Sequence, residues 1–255
     1  MPSNVPESLR KVLSDAVRPA LAFSGGVDSA YLLYACGEMG TDIAPYFVKG
    51  AFQTERELKR ARDLASSLGF DLNVIRFDVM SRDEILENTG ERCYLCKRAI
   101  MGLISDASKE AGRDAVFDGT NASDDIGDRP GMRVLEELGI RSPLREAGLT
   151  KQDIRQFSKK AGLPTWDMPS DSCLATRIPQ GTPITQEDLV RTEAAEADIR
   201  GLGFRDFRVR TVGKGALLET EQSQSDLLDE NRQIVEKTLL KYYDSVSYGI
   251  RRPNP

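Results

Sequence analysis

The first regular pattern in the 255-residue chain is a short apolar run at residues 19–23, which empties into Ser-Gly-Gly. An apolar-periodic stretch over residues 29–38 follows and closes near Gly40. The chain then alternates between two periods. Residues 43–48 read as a strand, residues 54–68 as a charged amphipathic helix ending at Gly69, and residues 72–77 as a third strand. Ser81 is a candidate N-cap for a short charged helix. A helix over residues 92–109 precedes an apolar strand at residues 115–117. The next helix, residues 150–161, has Thr150 as N-cap, Asp153 at its third position and a stop at Gly162. Such alternation predicts an α/β fold, a parallel sheet with helices on both faces. Residues 163–183 hold four prolines and little periodicity, and read as an ordered loop or linker. Beyond them a helix around residues 187–202, strands near residues 207–212 and 216–219, and a helix near residues 227–241 form a smaller α+β unit. The expected division is a first domain over residues 1–165, a cysteine-bearing loop over 166–183 and a small C-terminal substrate-binding domain over 184–255. No internal repeat interrupts this order.

Composition narrows the function classes. A hydrophobic content of 40% with 29% charged residues is ordinary for a soluble globular protein. The net charge of −5 argues against bulk electrostatic binding of nucleic acid. No apolar run approaches the ~20 residues that span a bilayer. The opening MPSNVPESLRKV lacks the charged-then-apolar order of a signal peptide, so a cytoplasmic protein is expected. In that reducing compartment the four cysteines point to metal binding or chemistry rather than to structural disulfides. The absence of histidine removes His-based triads, His general bases and His-ligated zinc, leaving Cys, Asp or Glu to hold any metal.

The stretch LAFSGGVDSAYLL places a glycine turn between strand and helix. Backbone N–H groups converge in such a turn and at the following helix N-terminus, where they attract an anion. Gly25 and Gly26 permit close approach, Ser24 and Ser29 can donate to phosphate oxygens, and Asp28 can hold the Mg²⁺ that accompanies a nucleotide. The Gly-Lys-Ser/Thr ending of a Walker A loop is missing. An ordinary strand-to-helix turn would also use two glycines and a serine. In this context, however, SGGVDS resembles the signature of the PP-loop ATP pyrophosphatases. That resemblance implies cleavage of ATP to AMP and pyrophosphate, usually by adenylating an acceptor, and leaves the nucleophile open.

The cysteines bear on that nucleophile. Cys93 and Cys96, in ERCYLCKRAI, share one face if the segment is helical. They supply two soft ligands for zinc or an iron–sulfur cluster, although a redox pair or two packed cysteines fit the same spacing. Cys36, in YLLYACGEMG, reads as a buried small hydrophobe. Cys173 lies in WDMPSDSCLATRIPQG with Arg177 four residues on. A neighbouring guanidinium would lower its pKa and make it a better nucleophile or ligand, whereas a loop cysteine without a role is the plain alternative. Three thiolates together would hold a cubane cluster and leave one iron open.

RCYLCK, DGTNASDD, RPGMRVLEELGIRSPL, LPTWDMPSDSCLATRIPQG and FRVR, in that order, resemble the LarE family. These are PP-loop sulfur transferases of nickel-pincer nucleotide biosynthesis, which serves lactate racemase. The resemblance spans roughly residues 24–219 and PSDSCLATR is its most discriminating block. It implies a pyridinium biscarboxylic acid mononucleotide substrate whose carboxylates are adenylated by ATP and converted to thiocarboxylates. Members with one cysteine at the position of Cys173 sacrifice its sulfur. Those that also carry the pair resemble [4Fe-4S] enzymes, and Cys93, Cys96 and Cys173 match that version on condition that they meet in space. Arg208 and Arg210 alternate on a strand, so they share a face and suit a phosphate monoester; exposed strand arginines are also common. The match to the family's RVR motif supports the first reading, and Arg177 is a further candidate phosphate ligand. Glu196 matches a family acidic position and would act near the substrate, unless it is a solvated helical carboxylate. Asp118 and Thr120 follow a strand end, where ligands bind in open α/β sheets, beside the activated carboxylate or Mg²⁺. Helix capping by Asp118 or Asn121 explains much of the same composition. The implied cofactors are ATP, Mg²⁺ and a [4Fe-4S] cluster, and the implied assembly is a homo-oligomer, in the form of a hexamer, with no nucleic acid or membrane partner. Two other classes stay open: another PP-loop enzyme, a tRNA thiolase or amide-forming synthetase, and a nucleotide-binding module with structural zinc.

Overall fold

The structure, a computed structural model, describes residues 4–124, 132–169 and 172–251. The end of DGTNASDD, the opening Arg-Pro-Gly of RPGMRVLEELGIRSPL, and Ser170 and Asp171 of PSDSCLATR lie outside the described residues. The chain forms two compact units, Met1–Asp78 with Glu91–Asp171, and Val79–Gly90 with Ser172–Pro255.

In chain order the elements up to the middle of the sequence are α1 (Glu7–Leu13), β1 (Ala20–Ala22), α2 (Val27–Glu38), β2 (Ala44–Lys49), α3 (Glu55–Ser67), β3 (Asn73–Arg76), α4 (Asp83–Leu86), α5 (Arg92–Glu110), β4 (Val116–Phe117), α6 (Arg133–Glu137), α7 (Pro143–Glu146) and α8 (Lys151–Lys160). All but α4 belong to the first unit. Its sheet has the order β3-β2-β1-β4 and every pairing is parallel, with Leu21 opposite both Pro45 and Phe117. Because side chains alternate across a strand, the sheet feeds a core on each face. Leu21, Phe47 and Phe117 pack with residues of α1, α2, α3 and α8, while Ala20, Tyr46 and Val48 pack with Met101 and Ile104 of α5 and with Val134 and Leu135 of α6. The predicted parallel sheet with helices on both faces is therefore what forms.

Local chemistry starts the two best-predicted helices. The Thr54 hydroxyl accepts from the Glu57 N–H at 3.1 Å and the Glu57 carboxylate accepts from the Thr54 N–H at 2.6 Å, a reciprocal cap at the start of α3. Thr150 and Asp153 repeat the device on α8. Ser81 does not cap a helix: it closes a 3₁₀ turn, Val79–Ser81, and Arg82 precedes α4 with no side-chain cap. The pattern also leaves α1, α6 and α7 unannounced, since the last two are each about a turn long and too short to show a period.

The second unit contains α4, α9 (Gln186–Gly201), β5 (Phe207–Val212), β6 (Gly215–Thr220), α10 (Ser225–Leu239) and β7 (Val246–Ile250). β5 and β6 form an antiparallel hairpin and β7 pairs with β6 in parallel. Both long helices pack on this sheet through Ala195, Ile199, Val209, Leu218, Val235 and Leu239. Residues 79–90, expected within the first domain, fold with this unit instead. Buried Asn88, at φ 56°, donates from its side-chain amide to the carbonyls of Pro179 and Thr182, each at 2.8 Å. Gly181 N–H donates to the Asn88 carbonyl at 2.9 Å and Ile184 N–H to that of Leu86 at 2.8 Å. The proline-rich loop is thus ordered by an early segment of the chain, and includes a 3₁₀ turn at Leu174–Arg177.

Candidate active site

β1 and β4 are neighbours, and the chain leaves β1 toward β2 on one side and reaches β4 on the other. A crevice beyond the carboxyl ends of the strands opens at such a switch point. Gly26 is the N-cap of α2, so Val27, Asp28 and Ser29 form its first turn, two residues earlier than the apolar pattern indicates. Gly25 sits at φ +72°, and a Cβ there would lie 3.0 Å from Ala61 Cα of α3, so both backbone conformation and close approach require glycine. Ser24 Oγ accepts from Gly26 N–H at 3.3 Å and lies 3.2 Å from Ser29 Oγ, and Ser29 donates to the Gly26 carbonyl at 3.2 Å. The loop is held in shape by its own hydroxyls.

The end of β4 closes on this turn. A Cβ on Gly119 would stand 3.2 Å from Ser29 N, so the two strand ends abut. Asp118 is buried; it accepts from Thr120 Oγ1 at 2.6 Å, from Ser142 Oγ at 2.6 Å and from Thr120 N–H at 3.2 Å, with Lys97 Nζ at 3.8 Å. Asp28 is ion-paired with Lys151, the first residue of α8, and Asn121 Nδ2 approaches it at 3.5 Å. Burial raises the Asp28 pKa; Lys151 opposes that rise and Asp124 adds to it. The predicted residues Ser24, Gly25, Gly26, Asp28, Ser29, Asp118 and Thr120 are brought together. The sequence reading missed Lys97, Gly119, Ser142 and Lys151. Lys97 lies inside the quoted RCYLCK, but neither lysine has a periodicity or motif that sets it apart from a surface lysine. The arrangement pairs open amides at a helix N-terminus with two carboxylates and two lysines, groups that suit polyphosphate and a hard cation.

Cys93 and Cys96 lie in the first turns of α5, Cys93 exposed and Cys96 half-buried. Arg92 donates to Cys93 Sγ at 3.6 Å. The start of α5 is tied to α6: Tyr94 donates to Glu137 at 2.8 Å, and Arg133 lies 4.6 Å above the Tyr94 ring while pairing with Glu91 at 2.9 Å. Cys36 is fully buried and burial pushes its thiol up to about 12, as expected of a packing residue.

In the second unit Cys173 stands at the N-cap of the 3₁₀ turn that ends in Arg177. Arg177 is buried and spends its donors within the unit. Nε and Nη2 donate to the two oxygens of Glu196 at 2.7 and 3.2 Å, and Nη1 to the Ser172 hydroxyl at 2.6 Å, the Thr176 hydroxyl at 2.9 Å and the Ser172 carbonyl at 3.1 Å. Glu196 also accepts from Val209 N–H at 3.1 Å, so it is a buried anchor rather than a solvated carboxylate. Arg210 pairs with Glu219 at 2.6 Å and donates to the Thr176 carbonyl at 2.7 Å. Arg208 shares its face of β5 and lies opposite Glu219 in the register. It is only 8% exposed, yet has no hydrogen-bond or ion-pair partner among the described residues. Burial, then Arg177 and Arg210, hold its pKa below the usual arginine range. The three arginines grouped from the sequence converge, but two are occupied with structure and Arg208 is the one left to an incoming anion. Within each unit, among the described residues, no group of three or more Cys, Asp or Glu side chains is placed to hold a metal ion. No described helix is long and apolar enough to cross a membrane.

No protein-family model matches the chain. Relatives do. A protein of Lactiplantibacillus plantarum named pyridinium-3,5-bisthiocarboxylic acid mononucleotide synthase is 32% identical over 219 residues, covering 85% of this chain and 79% of its own. An uncharacterized Synechocystis protein is 33% identical over 219 residues, 86% of this chain and 82% of its own, and one from Methanocaldococcus jannaschii is 33% identical over 217 residues, 85% and 83% respectively. The chain belongs to the LarE family and is a PP-loop, ATP-dependent sulfur transferase.

Proposed function

We propose that the enzyme converts the carboxylates of pyridinium-3,5-biscarboxylic acid mononucleotide to thiocarboxylates, the product class named for its Lactiplantibacillus relative, as a step in nickel-pincer nucleotide synthesis for lactate racemase. A carboxylate oxygen of the substrate attacks the α-phosphorus of ATP, the bond to the β-phosphate breaks, and pyrophosphate leaves into the turn formed by Ser24, Gly25, Gly26 and Ser29. Asp28, with Asp118 close by, would hold Mg²⁺ against the polyphosphate; carboxylate oxygens are the hard donors that ion takes. Lys97 and Lys151 would neutralise phosphate charge as it develops. A sulfide-level nucleophile then forms the C–S bond as the C–O bond to AMP breaks, which replaces the expulsion of oxide by that of a competent leaving group.

The observation that carries the proposal is Arg208, a residue only 8% exposed with no hydrogen-bond or ion-pair partner among the described residues, beside Arg177 and Arg210. The Glu219 and Glu196 carboxylates offset part of the repulsion from Arg177 and Arg210, but neither hydrogen-bonds Arg208, which leaves its fork to a phosphate monoester, the anion that geometry matches. Glu196 acts here as a positioning residue, fixing Arg177 and with it the turn that presents Cys173.

Cys93, Cys96 and Cys173 would hold a [4Fe-4S] cluster. Three thiolates are the donors such a cluster takes, and what supports the reading is their chemistry: two lie three residues apart on one helix, and the third heads a turn fixed by Arg177. When bound, such a cluster supplies a site for transferable sulfide. Anaerobic purification should give about four irons with matching acid-labile sulfide per chain, lost in Cys93→Ser. Iron-free protein after reconstitution would overturn the cluster and make Cys173 the sacrificial donor, visible by mass spectrometry as dehydroalanine. Pyrophosphate release that depends on the mononucleotide, with a thiocarboxylate product by mass spectrometry, tests the substrate. Release without that dependence would reject it in favour of another PP-loop acceptor. The remaining proposals are that the first unit is a PP-loop domain and the second, with residues 79–90, a substrate-binding domain joined to it by the cysteine-bearing loop, a cytoplasmic homo-oligomer, and the absence of a nucleic acid partner.

A further inference from the structure

Two carboxylates stand at the glycine turn, and their oxygens are committed differently. Asp118 is 4% exposed; Oδ2 accepts from Thr120 Oγ1 at 2.6 Å, and Oδ1 from Ser142 Oγ at 2.6 Å and Thr120 N–H at 3.2 Å. Those donors belong to the fold around the end of β4, so Asp118 is an anchor of that strand end. Asp28, in the first turn of α2, has Lys151 on Oδ2 and Asn121 Nδ2 at 3.5 Å from Oδ1, beyond the usual hydrogen-bond range. Of the two, Asp28 is the carboxylate a hard cation can take, and a side-chain ammonium already occupies it.

Lys151 is anchored at its base and reached by solvent at its tip. It is the first residue of α8, whose start is closed by the Thr150–Asp153 cap, and its N–H donates to Ser123 Oγ at 3.0 Å. Its side chain is 30% exposed and that of Asp28 20%, so water and ions reach the pair. An ammonium is a compact, strongly hydrated charge on a flexible stem with rotatable donors, and it changes partner without needing a matching fork. The turn that carries Asp28 also presents the amides that draw a phosphate, so a polyphosphate arriving there competes with Asp28 for the same ammonium. Until it arrives, a divalent cation approaching Asp28 meets a like charge in direct contact with the carboxylate.

We propose that Lys151 is an internal counter-ion that closes Asp28 to divalent metal in the nucleotide-free enzyme and yields it when a polyphosphate draws the ammonium away. The metal then enters with the nucleotide rather than before it, and Lys151 is a positioning residue that sets this order. The proposal rests on the reading of Asp28 as the Mg²⁺ ligand, and goes beyond it in assigning what holds the carboxylate beforehand.

The probe is Mn²⁺, an oxygen-seeking stand-in for Mg²⁺, titrated into the full-length, nucleotide-free protein and followed by the decrease of its free electron-paramagnetic-resonance signal. Lys151→Met should bind Mn²⁺ at least tenfold more tightly than the wild type, and Lys151→Gln should move the same way. Lys151→Arg keeps the charge and should exclude the metal as the wild type does. Adding Asp28→Asn to Lys151→Met should remove the gain. Lys97→Met should give no comparable gain, because the oxygens of Asp118 stay committed to Thr120 and Ser142. Circular dichroism confirms the fold of each variant. Equal affinity in the wild type and both neutral variants, abolished by Asp28→Asn, would overturn the counter-ion role and leave Asp28 as a metal ligand. A gain as large in Lys151→Arg or in Lys97→Met would overturn that role as well. Binding indifferent to Asp28→Asn, or no binding by any variant, would overturn both the role of Lys151 and the assignment of Asp28.

Discussion

Replacing Glu196 by alanine removes three accepted hydrogen bonds at once, two from Arg177 and one from Val209 N–H. Both side chains of the ion pair are 8% exposed, so water cannot take the place of the lost carboxylate. Breaking a buried pair from one side costs about 3–5 kcal/mol, because the surviving charge stays buried, and the orphaned Val209 amide adds about 1 kcal/mol. The damage should concentrate in the second unit, since Arg177 ties the Cys173 turn to α9 and Val209 belongs to β5. Hydrogen exchange read by mass spectrometry on peptides covering β5 and β6 reports this directly. Their protection should fall by about three to four orders of magnitude, while peptides from β2 change little. Glu196→Gln retains acceptor capacity without charge and should fall between the two. Arg177→Met with Glu196→Leu, which removes both charges, should recover most of the loss. If Glu196→Ala costs less than about 1 kcal/mol, or the double variant is worse than the single one, the pair does not organise this unit and the reasoning fails.

Gly25→Ala should abolish pyrophosphate release, because the alanine would occupy a left-handed conformation and press to 3.0 Å of Ala61 Cα, whereas Gly26→Ala meets only Ser24 Oγ at an ordinary 3.4 Å and should be milder. Lys151→Gln should lower pyrophosphate release at least tenfold, read by a coupled assay, with little loss of melting temperature, since Lys151 is partly exposed and its main partner is Asp28. Thr150→Ala should lower the melting temperature by a few degrees at neutral pH. The Thr150 hydroxyl, then its amide, hold the Asp153 pKa below the ordinary carboxylate value, so this stabilisation is complete above that value and disappears as pH falls through the lowered one; the gap between wild type and variant should narrow in acid. In a mild alkylation of the native protein analysed by mass spectrometry, exposed Cys93 should react well before Cys36, whose thiol is buried and pushed up to about 12.

The sequence by itself determined whatever depends on neighbours within a few residues. The glycine turn between β1 and α2, the Thr54–Glu57 and Thr150–Asp153 caps, the alternation of strand and helix segments and the Arg208–Arg210 alternation are all governed by local hydrogen bonding and by the periods of helix and strand. Such signals are written where they act. What remained hidden joins residues far apart. Lys151 meets Asp28 across 123 positions, Asn88 reaches Pro179 across 91, and Ser142 donates to Asp118 across 24. Nothing near Asn88 marks it as the pin for a later loop, so the grouping of residues 79–90 with the second unit is not legible in the sequence and is defined only by long-range hydrogen bonds. The arginines show the same division: alternation put Arg208 and Arg210 on one face, but whether each guanidinium is spent or available depends on Glu196, Glu219 and the Thr176 carbonyl, supplied by other elements. Side-chain type and spacing name the chemistry; the tertiary structure decides which charges are already neutralised, because burial and partner geometry set the cost of leaving a group unpaired.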